Sequence, residues 1–252
     1  MLDKLRFDGA PVLITGAGTG IGKACCLTFA ELGASVILAG RDEGPLRETA
    51  KLIAKVDTLV HTCDVTDEAQ VARLADAVQA RFGQLKALIN NAGDNFRAKL
   101  HETTAADWHR IIAVDLDSVF YCTKACLPLL MAAKGASIVN NASLYGVVGQ
   151  SAMAPYAAAK GGVVNLTRQM AVDYGPDGIR VNVVCPGPVL TDRLKGYAER
   201  GITDLKKLAA LTLLNRMAEP HEIADVIAFL ASDAASYIHG ATIMIDAGHS
   251  AR

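Results

Sequence analysis

Pro11-Val12-Leu13-Ile14-Thr15-Gly16-Ala17-Gly18-Thr19-Gly20-Ile21-Gly22 runs from an unbroken apolar stretch into a glycine cluster and on into an amphipathic segment. A short apolar run suits a strand covered on both faces. Glycines at its end let the backbone turn sharply and approach a pyrophosphate, and the N-terminus of a following helix favours negative charge. The spacing is T-G-x-x-x-G-x-G rather than GxGxxG, because Ile21 stands where the last glycine would fall. Glycines alone are a weak signal. A strand before them and a helix after them are the context of a phosphate-binding turn, and Gly16, Thr19, Gly20 and Ile21 become candidate cofactor contacts.

The same alternation continues outward from this stretch. Strand-like runs lie at Pro11–Thr15, Ser35–Ala39, Thr58–Thr62, Ala87–Asn90, Ser137–Asn141, Arg180–Val184 and Thr242–Asp246. Between them fall helix-like segments, including Ile21–Leu32, Asp67–Arg81, Thr104–Ala133, Pro155–Tyr174 and Pro220–Ala231. This order predicts an α/β fold, a doubly wound parallel sheet flanked by helices. No linker, repeat or composition break divides the chain, so a single domain over residues 1–252 is expected. The least regular stretch, residues 191–219, carries Leu205, Leu208, Leu211, Leu213 and Leu214 at mixed spacing and reads as a helical insertion covering a substrate pocket.

Composition removes several functions. With 25 basic and 26 acidic residues the chain is nearly neutral, which gives no reason to expect nucleic acid or an anionic membrane as partner. No apolar run approaches the roughly 18 residues of a membrane span. Met1 to Gly9 is polar and reads as no signal peptide. The six cysteines form no CxxC pair, and Cys122 and Cys126 read as two buried thiols on one helix face. The six histidines show no metal-ligand spacing. A cytoplasmic, reduced, metal-free protein is expected.

Strand ends should line a ligand crevice. After the second strand, Gly40 is followed by Arg41, so the acid that would bind ribose hydroxyls and repel a 2′-phosphate is absent and a cation stands in its place. NADP(H) is therefore expected over NAD(H), although Asp42 and Glu43 partly offset the charge. Cys63-Asp64-Val65 ends the third strand, where Asp64 could accept from the adenine amino group. Asn90-Asn91-Ala92-Gly93 ends the fourth, adding Asn91 and Gly93 to the cleft.

Ser143 closes the fifth strand, and Tyr156 and Lys160 follow four residues apart, on one face of a helix. A free tyrosine titrates at about 10 and is a poor base near neutrality. A neighbouring ammonium, and the positive ring of an oxidised nicotinamide, would favour the phenolate and lower that pKa, so Tyr156 could exchange a proton with an alcohol or carbonyl while the nicotinamide exchanges hydride. Ser143 would hold the substrate oxygen.

With these motifs together, the chain resembles the short-chain dehydrogenase/reductase family, of the compact kind, from Thr15 to Gly248. The resemblance implies a Rossmann-type fold, a nicotinamide dinucleotide cofactor and a proton-transfer site at Ser143, Tyr156 and Lys160, with Lys160 also binding the nicotinamide ribose. It implies that Pro186-Gly187-Pro188-Val189 turns against the carboxamide, Val189 supplying a backbone contact and Thr191 a hydrogen bond. It implies a homotetramer, or a homodimer, built on the helices from Thr104 and Pro155 and on Tyr237–Gly248. One position departs: Asp115 stands where many members have an asparagine of a proton relay, and it is kept as a catalytic candidate.

The substrate is less legible. Asp94, Asn95, Phe96, Tyr145, Gln150, Met153 and the stretch 205–214 are expected near the pocket and suit a small alcohol or ketone. The alternative is a 3-oxoacyl thioester on acyl carrier protein or CoA. Asp173 and Asp177, with only Lys134 between Leu129 and Ala136, weigh against docking an acidic carrier. A non-catalytic dinucleotide-binding protein on the same fold is the remaining reading, and the presence of all three proton-transfer residues disfavours it.

Overall fold

Each apolar run expected to be a strand is one: β1 (Pro11–Thr15), β2 (Ser35–Gly40), β3 (Thr58–Thr62), β4 (Ala87–Asn90), β5 (Ser137–Asn141), β6 (Arg180–Pro186) and β7 (Thr242–Ile245). This computed structural model describes residues 2–251; Met1 and Arg252, the ends of the expected leader-free chain and 1–252 domain, lie outside the described residues. The strands form one parallel sheet in the order β3-β2-β1-β4-β5-β6-β7.

Alternate side chains of a strand point to opposite faces, so a sheet buried on both sides needs apolar residues at every position. Val12, Ile14, Val36 and Leu38 pack on α1 (Gly20–Glu31) and α9 (Pro220–Ala231), through Cys25, Phe29, Ile223 and Ile227. Leu13, Ile37, Leu88 and Ile138 pack the other way, on α3 (Glu68–Phe82), α5 (Ser118–Ala132) and α6 (Ala154–Tyr174). The unbroken apolar runs are therefore the imprint of two cores sharing one sheet. Among the described residues no helix is long and apolar enough to cross a membrane.

Three elements differ from the sequence reading. Helix α2 (Glu43–Leu52) went unassigned, because only Leu46 and Thr49 of it are buried and the apolar period is too thin to see. The single helix expected over Thr104–Ala133 is interrupted. Thr104 caps α4 (Ala105–Ile112) by accepting from the Asp107 N–H at 3.1 Å, a π-helical turn follows over Ala113–Asp117, and α5 begins at Ser118. The stretch 191–219 holds two short helices, α7 (Asp192–Glu199) and α8 (Leu205–Ala210), rather than one insertion.

Chain connections leave β1 and β4 toward opposite ends of the sheet, so their carboxyl ends part and open a crevice. The glycine turn lies there. A Cβ on Gly22 would fall 2.1 Å from the Gly16 carbonyl oxygen, so the turn closes only without one. Gly22→Ala is expected to destabilise the fold by about 1–3 kcal/mol through backbone displacement, read as a lower urea midpoint at unchanged slope.

Candidate active site

The crevice is a cavity of about 690 Å3. Toward β2 and β3 it is lined by Arg41, Asp64 and Val65, under β1 and β4 by Gly16, Thr19, Gly20, Ile21, Asn91 and Gly93, and toward β6 by Pro186, Gly187, Val189 and Thr191. Ser143, Tyr156, Lys160 and Asp115 line it as well, so all candidate cofactor and catalytic positions meet in one space. Asp94, Asn95, Phe96, Tyr145 and Met153 join them. Gln150 does not, and the leucine cover needs correcting. Of Leu205, Leu208, Leu211, Leu213 and Leu214 only Leu208 lines the cavity; Leu213 and Leu214 are exposed, because α8 ends at Ala210 and turns them away. Leu194, Tyr197, Ile202 and Thr203 line that side instead.

Side chains tie the strand ends together. The Thr15 hydroxyl accepts from the Asn91 and Ala92 N–H groups, both at 2.9 Å. Asn91 donates through Nδ2 to the Thr15 carbonyl and accepts from Asn141 Nδ2, again at 2.9 Å each. Asn91 thus spans β1 and β5 from the end of β4.

The candidate proton-transfer residues come from two elements. Ser143 follows β5 and caps a 3-10 turn (Leu144–Gly146), accepting from the Tyr145 N–H at 3.2 Å. Tyr156 and Lys160 lie one turn apart near the start of α6, where Pro155 occupies the first turn. The two elements pack closely at Gly146, where a Cβ would meet the Lys160 carbonyl oxygen at 2.7 Å. Lys160 Nζ sits 5.8 Å from the Tyr156 ring centroid and donates to the Asn141 carbonyl at 3.1 Å.

Asp115 meets Lys160 here. It belongs to the π-helical turn, is fully buried, and its Oδ1 lies 3.1 Å from Lys160 Nζ while accepting from the Asp94 N–H at 3.2 Å. Its Oδ2 has no hydrogen-bond partner among the described residues. Burial pushes the Asp115 carboxyl upward, against the pull of Lys160. Burial also opposes the Lys160 ammonium, but Asp115 and Tyr156 outweigh it and its pKa is raised.

Tyr156 differs from the sequence expectation. Lys160 and Ser143 do favour its phenolate, but burial outweighs them, Asp115 adds to burial, and the phenol is pushed above its ordinary value. The sequence reading counted the lysine and had no means of counting the dry surroundings.

Two arginines at this end went unread. Asp94 accepts from Arg110 of α4 at 2.9 Å and from Arg193 of α7 at 3.0 Å. Arg97 and Arg193 both line the cavity. No local motif marks either; only the fold brings them to the site. At the opposite end, one Asp64 oxygen is held by the Thr66 N–H and hydroxyl at 2.9 and 2.8 Å, and Arg41 has no ion pair among the described residues.

Residues 16–250 match the family described as enoyl-(acyl carrier protein) reductase. Meso-2,3-butanediol dehydrogenase of Serratia marcescens is 43% identical over 98% of this chain and 97% of its own. Cis-4-hydroxycyclohexanecarboxylate dehydrogenase of Sinomonas cyclohexanicum is 42% identical over 95% and 96%. A short-chain type dehydrogenase/reductase from Mycobacterium marinum superposes with a TM-score of 0.92 at 32% identity, covering 100% of this chain and 99% of that one. The chain belongs to the short-chain dehydrogenase/reductase family, and is an NAD(P)-dependent oxidoreductase acting on CH–OH and C=O groups.

The family's nicotinamide dinucleotide suits the groups present: a glycine turn opening a helix, a free cation at the β2 end, and a buried lysine with donor capacity beyond its two partners. Lys160→Met would leave the Asp115 carboxylate buried and unpaired, at an expected cost of about 3–5 kcal/mol at neutral pH. Because burial raises Asp115 in the folded state, the folded protein binds the extra proton, and the variant's deficit shrinks as pH falls through that raised pKa. Urea melts against pH check this, and Lys160→Met with Asp115→Asn should regain much of the loss.

Proposed function

We propose that Tyr156 exchanges the proton of a secondary alcohol or its ketone, with Ser143 holding the reacting oxygen and Lys160 setting the charge beneath both. The observation that carries this reading is the convergence of Ser143, Tyr156 and Lys160 on the cavity that the glycine turn also lines. The bound nicotinamide supplies or takes the hydride. Lys160 keeps its ammonium through Asp115 and the Asn141 carbonyl, which leaves a proton to donate into the cleft. Residues 191–219 act as the substrate cover, with Leu194, Tyr197 and Leu208 excluding water.

Tyr156→Phe is expected to lower turnover by about 100- to 10,000-fold while dinucleotide binding, followed by fluorescence titration, persists. Unchanged turnover would defeat the assignment.

Asp115 is a positioning residue in this reading: it holds Lys160, and its charge adds to the burial that raises the Tyr156 phenol. A phenol with a raised pKa suits proton donation to a ketone across the neutral range. Alcohol oxidation needs the phenolate, so its rate should climb as pH rises toward that pKa. Asp115→Asn removes the negative charge and should move the climb to lower pH. If Asp115→Asn and Asp115→Ala both leave rate and pH profile untouched, the side chain has no part.

NADP(H) is the favoured dinucleotide, supported by the unpaired Arg41 and the absence of an acid at Gly40. Hydride-transfer rates with both dinucleotides test this, and a strong NAD(H) preference would overturn it. A 3-oxoacyl thioester is the second reading, supported by the 37% identity of a 3-oxoacyl-[acyl-carrier-protein] reductase of Thermotoga maritima over 97% of this chain; turnover of acyl-carrier substrates against free ketones separates the two. A homotetramer, or a homodimer, fits the exposed Phe120 and Met131 on α5 and Val172 on α6, and sedimentation measures it. Six free, buried cysteines accord with a reducing, cytoplasmic setting.

A further inference from the structure

Charge is unevenly matched at the proton-transfer end of the cavity. Asp94 and Asp115 are its two carboxylates, and Arg97, Arg193 and Lys160 its three cations. Lys160 is held by Asp115, and Arg193 by Asp94, which Arg110 neutralises further. Arg97 has no ion pair or hydrogen bond among the described residues.

Its place is set by main chain. Ala98 forms a parallel bridge with Met153, the residue that caps α6, so Arg97 lies against the segment that delivers Tyr156. Its charge reaches the Tyr145 phenol, two residues from Ser143, and works against the burial that raises that group. Arg97 is exposed and shares the cavity lining with Phe96, Tyr145 and Met153, so its guanidinium is open to a ligand entering from solvent. A guanidinium fork in such a place matches a carboxylate through paired hydrogen bonds.

We infer that the substrate is a hydroxy or keto acid, whose carboxylate is received by Arg97 while its alcohol or ketone carbon lies at Ser143 and Tyr156. This rests on the hydride-transfer reading above and deepens it by naming the substrate class. A neutral alcohol of the same shape fills the walls but leaves the guanidinium without a partner. Arg193 differs from Arg97 in that it is held at 3.0 Å by Asp94, a carboxylate it shares with Arg110.

The test uses methyl ketones ending in a carboxylate (levulinate and its one- and two-carbon longer homologues) beside the corresponding primary amides, with NADPH and NADH. For at least one chain length, kcat/KM for the acid should exceed that for its amide by about tenfold, and added salt should shrink the difference. Arg97→Met should bring the acid-to-amide ratio to about one, and Arg97→Lys should retain part of it. Amides reduced as well as acids at every length, or a ratio untouched by Arg97→Met, would overturn the inference and leave hydride transfer standing. If the acids and amides fail while butanone is reduced, the inference alone falls; if acids, amides and butanone all fail with both dinucleotides, the small-ketone reading falls with it and the acyl-thioester reading takes its place.

Discussion

The site depends on how the ends of β1, β4 and β5 are tied where the sheet opens. Main-chain pairing stops at Ile89 between β1 and β4, yet the chain beyond must stay in register to shape a cleft. Thr15 and Asn91 supply the missing bonds, and Asn141 extends them to β5. The Asn141 carbonyl then accepts from Lys160. One short chain of hydrogen bonds therefore runs from the glycine turn to the buried Lys160. The two halves of the cleft are parts of one framework, in which Asn141 Oδ1 is left without a hydrogen-bond partner among the described residues.

On that framework the electrostatics form a balance of buried groups. A lone ammonium in the position of Lys160 would be driven toward neutrality, and a lone carboxylate in the position of Asp115 likewise. Together they lie 3.1 Å apart, and each favours the charged form of the other. The phenol beside them feels both charges, and they largely oppose one another, so its burial decides the direction of its shift. An asparagine at position 115 would leave the lysine's charge unopposed. The aspartate is thus the largest chemical difference between this site and the pattern its family suggests.

Much of this was legible in the chain. Parallel strands buried on both faces need uninterrupted apolar runs, and all seven runs proved to be strands, with only their last residues shifted. The site residues at strand ends were legible for the same reason: strand ends line such a cleft. What escaped lacked a local signature. Helix α2 buries too little to show a period. The leucines of 205–214 looked like a cover, but their orientation depends on where α8 ends. Arg97 and Arg193 drew no reading from the sequence, and only the fold brings them to the cavity lining. The direction of the Tyr156 shift needed its surroundings, and sequence spacing supplies only the neighbour.

The π-helical turn at Ala113–Asp117 sets the phase between two helices. An α-helix advances about 100° per residue, and the wide turn accommodates a residue that the regular spiral would not. Ile111 before it and Val119 after it both reach the core, and Asp115 between them reaches Lys160. Shortening the segment by one residue would restore an unbroken spiral and swing everything on one side of it by about a quarter turn. Either Ile111 would leave the core or Asp115 would leave the lysine. The length of this segment is therefore as constrained as the identity of Asp115 within it: an insertion or deletion would displace either Ile111 or Asp115.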